Sequence, residues 1–380
     1  MMPDLKQIKE TNAQLCIECA KCSGICPVAR YSQTFSPRLL LTKTLRNTKT
    51  DSIQSADLWA CLNCQCCDEI CPSNIKYTDL IQILRQAVGI QNMEGTCSHG
   101  GILQSISQIM ASANLKQNRL DWLGKEYNTS KNSDYLFFMG CLPYFDALFT
   151  DINVQSLNIA RSTLRILNYF NIQPQLLSNE KCCGHDFFWK GDIETFKKLA
   201  EANLEMIEQS GAKKIITSCP ECYRTLKVEY GRFFGKLPYE IEHISEFLSA
   251  KLAVEKIELK SRDMKITFQD PCRLGRHLGI YEAPRACFTH LRNVEFREMA
   301  HHHKRAICCG VSGWMNCSQI SKQIQMQRLK EAQDSGADTL VTACAKCQIH
   351  FQCALRDAQL AEQITLKVKD FSELFAENLH

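Results

Sequence analysis

The spacing of 23 cysteines in 380 residues limits this chain more than any other feature. Cys16, Cys19, Cys22 and Cys26 form CxxCxxCxxxC followed by Pro27, and Cys61, Cys64, Cys67 and Cys71 repeat the pattern before Pro72. A [4Fe–4S] cubane needs four thiolates in a tetrahedral arrangement. A CxxCxxC loop wraps its backbone around three corners, so the fourth ligand has to arrive from elsewhere. In chains with two such runs, the last cysteine of each run serves the other cluster. This rule assigns Cys16, Cys19, Cys22 and Cys71 to cubane 1, and Cys61, Cys64, Cys67 and Cys26 to cubane 2. Structural zinc on CxxC pairs is the competing reading, but zinc sites rarely show two full runs of this kind. Cys66, beside Cys67, is a bystander or a substitute ligand.

The same cysteines set the compartment. Their number is odd and they fall in CxxC and CC groups, which suits metal ligation better than a disulfide framework. The chain opens on polar Met1-Met2-Pro3-Asp4 and has no apolar stretch of membrane-spanning length, so a reducing cytoplasm and no membrane span are expected. The formal charge of +4 is spread without long basic runs, which gives no reason to expect nucleic acid. Cluster-bound thiolates would make the loaded protein less basic still.

A head over 1–95 and a linker over 96–132 precede a body that repeats itself, with copies at 133–255 and 256–380. Ser210-Gly211-Ala212 leads through Ile215-Ile216 to Cys219 and Cys222; Ser335-Gly336-Ala337 leads through Leu340-Val341 to Cys344 and Cys347. The Cys-Cys-Gly triplets at 182–184 and 308–310 recur at nearly the same offset. Two unrelated motifs at one offset mean duplication. Each copy reads as an α/β unit. Tyr135–Phe138 and Lys265–Phe268 are short strands ending near a cysteine. Asp192 and Ser318 begin helices that Gly211 and Gly336 stop, and each following strand delivers a CxxC that opens the next helix. One helix is expected in the linker, from Ile102, Ile106, Ile109 and Met110.

Each copy holds five thiols: Cys141, Cys182, Cys183, Cys219 and Cys222 in the first, Cys272, Cys308, Cys309, Cys344 and Cys347 in the second. Five exceed what zinc or an ordinary cubane needs. A cluster with a bridging thiolate would use all of them. The glycine after each Cys-Cys pair would let backbone approach that cluster.

These motifs resemble heterodisulfide reductase. The helical material between the two head runs (Leu39, Leu40, Leu41, Leu45, Leu58-Trp59) is similar to the α-helical ferredoxin domain of its electron-input subunit, the C-type. Related heads occur in the iron–sulfur subunits of glycolate oxidase and anaerobic glycerol-3-phosphate dehydrogenase. The body matches the CCG domains of the catalytic, B-type subunit at all ten cysteines, and Asp270-Pro271-Cys272-Arg273-Leu274-Gly275-Arg276 with Pro284-Arg285 also looks like that family. The whole resembles the fused form, the D-type subunit. The resemblance implies an α+β multidomain chain, an α-helical dicluster ferredoxin domain followed by two duplicated α/β CCG domains. It also implies a noncubane [4Fe–4S] cluster on each five-cysteine set, with zinc in one set as the competing occupant.

The implied function is that of an oxidoreductase subunit. Electrons would come from a flavoprotein resembling the flavin-bearing, A-type subunit of heterodisulfide reductase, in a complex with possible further subunits, and reduce a disulfide between the noncubane clusters. The alternative is an electron relay in a bifurcating, aromatic-ring-reducing or quinone-linked complex. Bulky Trp314 and Phe187-Phe188-Trp189 near the Cys-Cys-Gly triplets motivate it, though core packing is an equally ordinary role for them. His185 and His277 are the weak candidates for protonating a leaving thiolate. Cys97, Cys287, Cys317 and Cys353 are expected to be small buried hydrophobes, and His301-His302-His303 a solvated loop. No GxGxxG follows a strand, so no flavin or nicotinamide is expected on the chain.

Overall fold

The computed structural model describes residues 5–46, 55–89, 98–255, 257, 259–315, 317–357 and 362–379. The head consists of helices Leu5–Glu10, Lys21–Ile25, Pro37–Arg46, Ser55–Ala60, Cys66–Ile70 and Tyr77–Val88, with no strand among its described residues. Helices this short do not persist alone. They are held by buried Leu40, Leu41, Leu58, Leu80, Ile81 and Leu84, each contributing about 1.5–3 kcal/mol by leaving water. That apolar cluster runs on without a break into Ile324, Leu329, Leu340 and Phe351, so the head shares its core with the second copy of the body.

The body contains two parallel sheets. The first joins β1 (Tyr135–Phe137), β2 (Lys214–Thr217) and β3 (Glu240–His243) in that order. The second joins β4 (Ser261–Gln269), β5 (Arg292–Phe296), β6 (Thr339–Thr342) and β7 (Lys367–Asp370) in the order β5-β4-β6-β7. Pairing is parallel because each strand is followed by a helical crossover. The duplication survives in the pairing: β1-β2-β3 corresponds to β4-β6-β7. In place of β5 the first copy has a single bridge, Leu136 to Gln175. The α+β class read from the sequence is the one observed.

The long helices start and stop on the predicted residues. Asp192 accepts from the Thr195 amide to cap Ile193–Ser210, and Gly211 ends it at φ 67. Ser318 caps Gln319–Asp334, with Gly336 at φ 76 just beyond. The linker helix is Ile102–Met110, but it buries Leu103, Ser107 and Met110 while leaving Ile102 and Ile109 exposed. The copies also exchange ends. Helix Ile244–Val254 of the first copy packs on Glu282–Phe288, and Phe371–Asn378 of the second packs on Leu157–Tyr169. The two units are therefore clasped together.

Candidate iron–sulfur centres

The two head loops share one backbone solution. Glu18 and Ala20 adopt φ 54 and φ 62; Asn63 and Gln65, at the same places in the second loop, adopt φ 48 and φ 60. Left-handed geometry at four non-glycine residues is costly, and it persists where a site demands it. Here it turns amides inward: the Glu18 and Asn63 N–H groups each lie 3.4 Å from the sulfur of Cys16 and Cys61. One cavity is lined by Cys16, Cys19, Cys22, Cys71 and Cys67. Another is lined by Cys26, Cys61, Cys64, Cys66 and Cys67. Each cavity thus draws its far cysteine, Cys71 or Cys26, from the opposite run, and Cys66 lies within the second group. All described cysteines are free thiols. Thiol-lined cavities with inward amides fit iron–sulfur clusters. Burial pushes the Cys61 thiol up to about 11 despite nearby Arg85, and bound metal would reverse that by taking the thiolate.

In the body the five-cysteine sets lie beyond the carboxyl ends of β1, β2, β4 and β6, where parallel α/β sheets bind their ligands. Their thiols neighbour one another in the same succession. In the first copy the chain runs Cys141, Cys182, Cys183, Cys222, Cys219. In the second it runs Cys272, Cys308, Cys309, Cys347, Cys344. His350 adds a contact of 3.5 Å to Cys309. The role expected for the two glycines differs from what is found. Gly184 and Gly310 do take φ 86 and φ 88, but a side-chain carbon there would strike the Phe196 ring at 2.8 Å or the Ser321 carbonyl at 2.9 Å. They make room for the next helix, not for the thiols.

The head meets the second copy at its cysteines. The Cys64 thiol lies beside those of Cys66 and Cys308, and its carbonyl accepts from Arg276 Nε at 2.5 Å. Arg85, fully buried and pushed down to about 10 by that burial, donates to Asn63 Oδ1 at 2.6 Å and to the carbonyls of Leu58, Cys61 and Trp189. Arg273 and His277 both reach the Asn63 carbonyl, at 2.7 and 2.8 Å. Gly191, at φ 85, lies so close to helix Tyr77–Val88 that a side-chain carbon would fall 2.4 Å from the Gln86 amide nitrogen.

Between the two five-cysteine sets lies a buried ion cluster that sequence reasoning missed. Lys346 Nζ sits 2.6 Å from both Asp186 and Glu221. Glu221 and Lys346 occupy the same position in their CxxC motifs, so the duplication brings equivalent residues of opposite charge together. That reversal is visible in Cys-Pro-Glu-Cys against Cys-Ala-Lys-Cys and could have signalled the contact. His185 lies beside this cluster, 3.4 Å from Glu221, 3.1 Å from Thr225 Oγ1 and 3.2 Å from Arg273 Nε; burial with three nearby cations holds its pKa well below the usual range. His277 stands at the head–body seam instead, within 2.6 Å of Arg224 Nη1.

The bulky residues are core. Phe187, Phe188, Trp189 and Trp314 are all buried. Trp189 packs under the Arg273 guanidinium at 4.4 Å, and Trp314 stacks on Phe149 with the Lys346 ammonium 5.2 Å from its ring. Of the isolated cysteines, Cys287 is buried as expected, Cys353 is half-buried and Cys317 is exposed, while Cys97 lies outside the described residues. The His301–His303 loop is more tied down than a solvated one: His303 stacks on Tyr281 and its amide donates to Asp270 at 2.8 Å.

A model of the cysteine-rich CCG domain matches residues 135–227 and 266–352, and a 4Fe-4S dicluster domain matches 12–75. The D subunit of the dihydromethanophenazine:CoB–CoM heterodisulfide reductase of Methanosarcina acetivorans is 30% identical over 332 residues, which cover 85% of this chain and 78% of that protein. The chain belongs to the family of heterodisulfide reductase D subunits. The corresponding protein from Methanosarcina barkeri is 27% identical over 98% of this chain and 95% of its own. The B subunit of a CoM/CoB fumarate reductase from Methanothermobacter marburgensis is also 27% identical, over 94% of this chain and 71% of its own. As a member of the D-subunit family, the chain is an iron–sulfur electron-transfer protein with oxidoreductase relatives. No helix among its described residues is long and apolar enough to cross a membrane.

Proposed function

We propose that the chain reduces a disulfide in a cytoplasmic heterodisulfide reductase-like complex, taking electrons from a flavoprotein at its first head loop. The observation that carries this reading is the seam at which Arg273, next to Cys272, donates to the Asn63 carbonyl at 2.7 Å and Arg276 donates to the Cys64 carbonyl at 2.5 Å, which seats the inner head loop beside the second five-cysteine set. When bound, two cubanes in the head supply one-electron transfer, and a noncubane cluster on each five-cysteine set supplies iron for the sulfurs of a disulfide. The protein's own residues do the rest. Cys19 and the neighbouring Ile17 lie at the surface, where a donor can dock. Arg85, Asn63, Arg273 and His277 lock the inner head loop onto the body. Lys346, pinned by Asp186 and Glu221, holds a positive charge between the two sets, where thiolate products would be negative. Cleavage consumes two electrons and two protons and yields two thiols.

A relay role is favoured by one observation, the filling of that same space by the Lys346 ion pairs above Trp314. Reduced viologen with a range of heterodisulfides, supplied to the iron-loaded complex, separates the two. Turnover is expected, together with about 16 iron atoms per chain, four for each of four clusters. No turnover with any disulfide would leave the relay.

A further inference from the structure

Arg276 sits at the junction of head and body with one arm unused. Its Nε donates to the Cys64 carbonyl at 2.5 Å, and its Nη1 to the carbonyls of Ala306 at 2.6 Å and Lys304 at 3.3 Å. Nη2 is buried and has no hydrogen-bond acceptor in the protein. The side chain is only 6% exposed. A guanidinium keeps its charge even when buried, and the thiols of Cys66, Cys64, Cys272 and Cys308 lie close around it. These four belong to the second head loop and the second five-cysteine set. An orphaned buried donor costs about 1–3 kcal/mol, and a fixed cation among thiols is a poor choice for mere packing. Both features make sense if sulfur acceptors bind on either side of it.

We infer that Arg276 is a positioning residue that directs its charge and its free Nη2 N–H at the iron–sulfur groups meeting at the Cys64–Cys308 contact, and so raises the reduction potential there. The inference rests on reading the two thiol sets as cluster ligands. The physical reason is that reduction adds negative charge to a cluster. A nearby cation and an N–H···S hydrogen bond stabilise the reduced state more than the oxidised one. Arg273, three residues earlier, cannot substitute, because its nitrogens face His185, His277 and the Asn63 carbonyl.

The test is EPR-monitored redox titration of the full-length, iron-loaded chain and its Arg276→Gln and Arg276→Lys variants, matched for iron content and melting temperature. Arg276→Gln should move the potentials of the junction signals to more negative values while the outer head signal stays in place. Arg276→Lys keeps the charge without the forked donors and should give a smaller shift in the same direction. Wild-type potentials in an iron-replete Arg276→Gln chain would overturn the inference, as would an equal shift in every signal. Should Arg276→Gln fail to retain iron, Arg276→Lys decides alone, and an unshifted junction signal overturns it. A wild-type chain that took zinc in place of iron would instead overturn the reading of the thiol sets, and the inference with it.

Discussion

The two CxxCxxCxxxC loops have the same backbone and opposite surroundings. Ile17 and Leu62 hold the same place, yet Ile17 is 67% exposed and Leu62 4%. Cys19 is exposed where Cys64 is buried, and Glu18 pairs with surface Arg38 and Arg46 where Asn63 is locked in by Arg85. Lys21 is replaced by Cys66, which is buried beside Cys64. Local sequence therefore builds two equivalent cradles, and the body makes one of them internal. The asymmetry gives the head a direction, with an outer loop that another protein can reach and an inner loop that touches the next thiol set.

The largest effect should come from prising the inner loop off the body. Gly191→Ala puts a side-chain carbon against the backbone of helix Tyr77–Val88 at a left-handed position, costing about 3 kcal/mol or more. Arg85→Ala strands buried carbonyls of Leu58, Cys61 and Trp189 and should cost about 3 kcal/mol. Both are read by thermal unfolding, and both should slow reduction of the body clusters while the outer loop still accepts electrons. Stability within error of wild type for Gly191→Ala would mean that the head does not depend on this seam.

How much of this was legible in the sequence follows from how local each feature is. The cubane runs, the ten body cysteines, the caps at Asp192 and Ser318 and the strands β2 and β6 are short-range patterns, and all could be marked beforehand. Strands β3 and β7 escaped notice because Glu240–His243 and Lys367–Asp370 alternate buried with more exposed positions and carry charges, so neither reads as an apolar run. The left-handed turns at Glu18, Ala20, Asn63 and Gln65 carry no glycine to announce them. Arg276 closes the Asp270–Arg276 motif, but its meaning depends on the carbonyl of Cys64, 212 positions away, and no periodicity reports a contact of that range. Among the described residues, the Lys346–Glu221 pair is a long-range contact that was within reach, since the charge reversal sits in aligned copies of a motif.

An intermediate effect should appear when iron is removed. If the loops differ as their exposure indicates, an anaerobic chelator should strip the Cys16 set about tenfold faster than the Cys61 set, because access governs attack at exposed thiolates. Iron release would be biphasic, and the fast phase should vanish in Cys19→Ser. A single phase would show that the two loops open together and that the crossing of Cys26 and Cys71 couples them.

The smallest effect on the molecule itself should come from the outer rim. Ile17 is too exposed to hold the fold, so Ile17→Asp should leave stability within about 0.5 kcal/mol of wild type. The same change sets a charge beside Cys19 at the surface where a donor would seat. Reduction by a flavoprotein partner should then slow by about tenfold, equivalent to about 1.4 kcal/mol of docking energy, while reduction by a small viologen stays unchanged. Leu62→Asp is the mirror experiment, since the equivalent residue is buried and a carboxylate there should disrupt folding with either donor. Equal sensitivity of both donors to Ile17→Asp would erase the distinction between outer and inner loop.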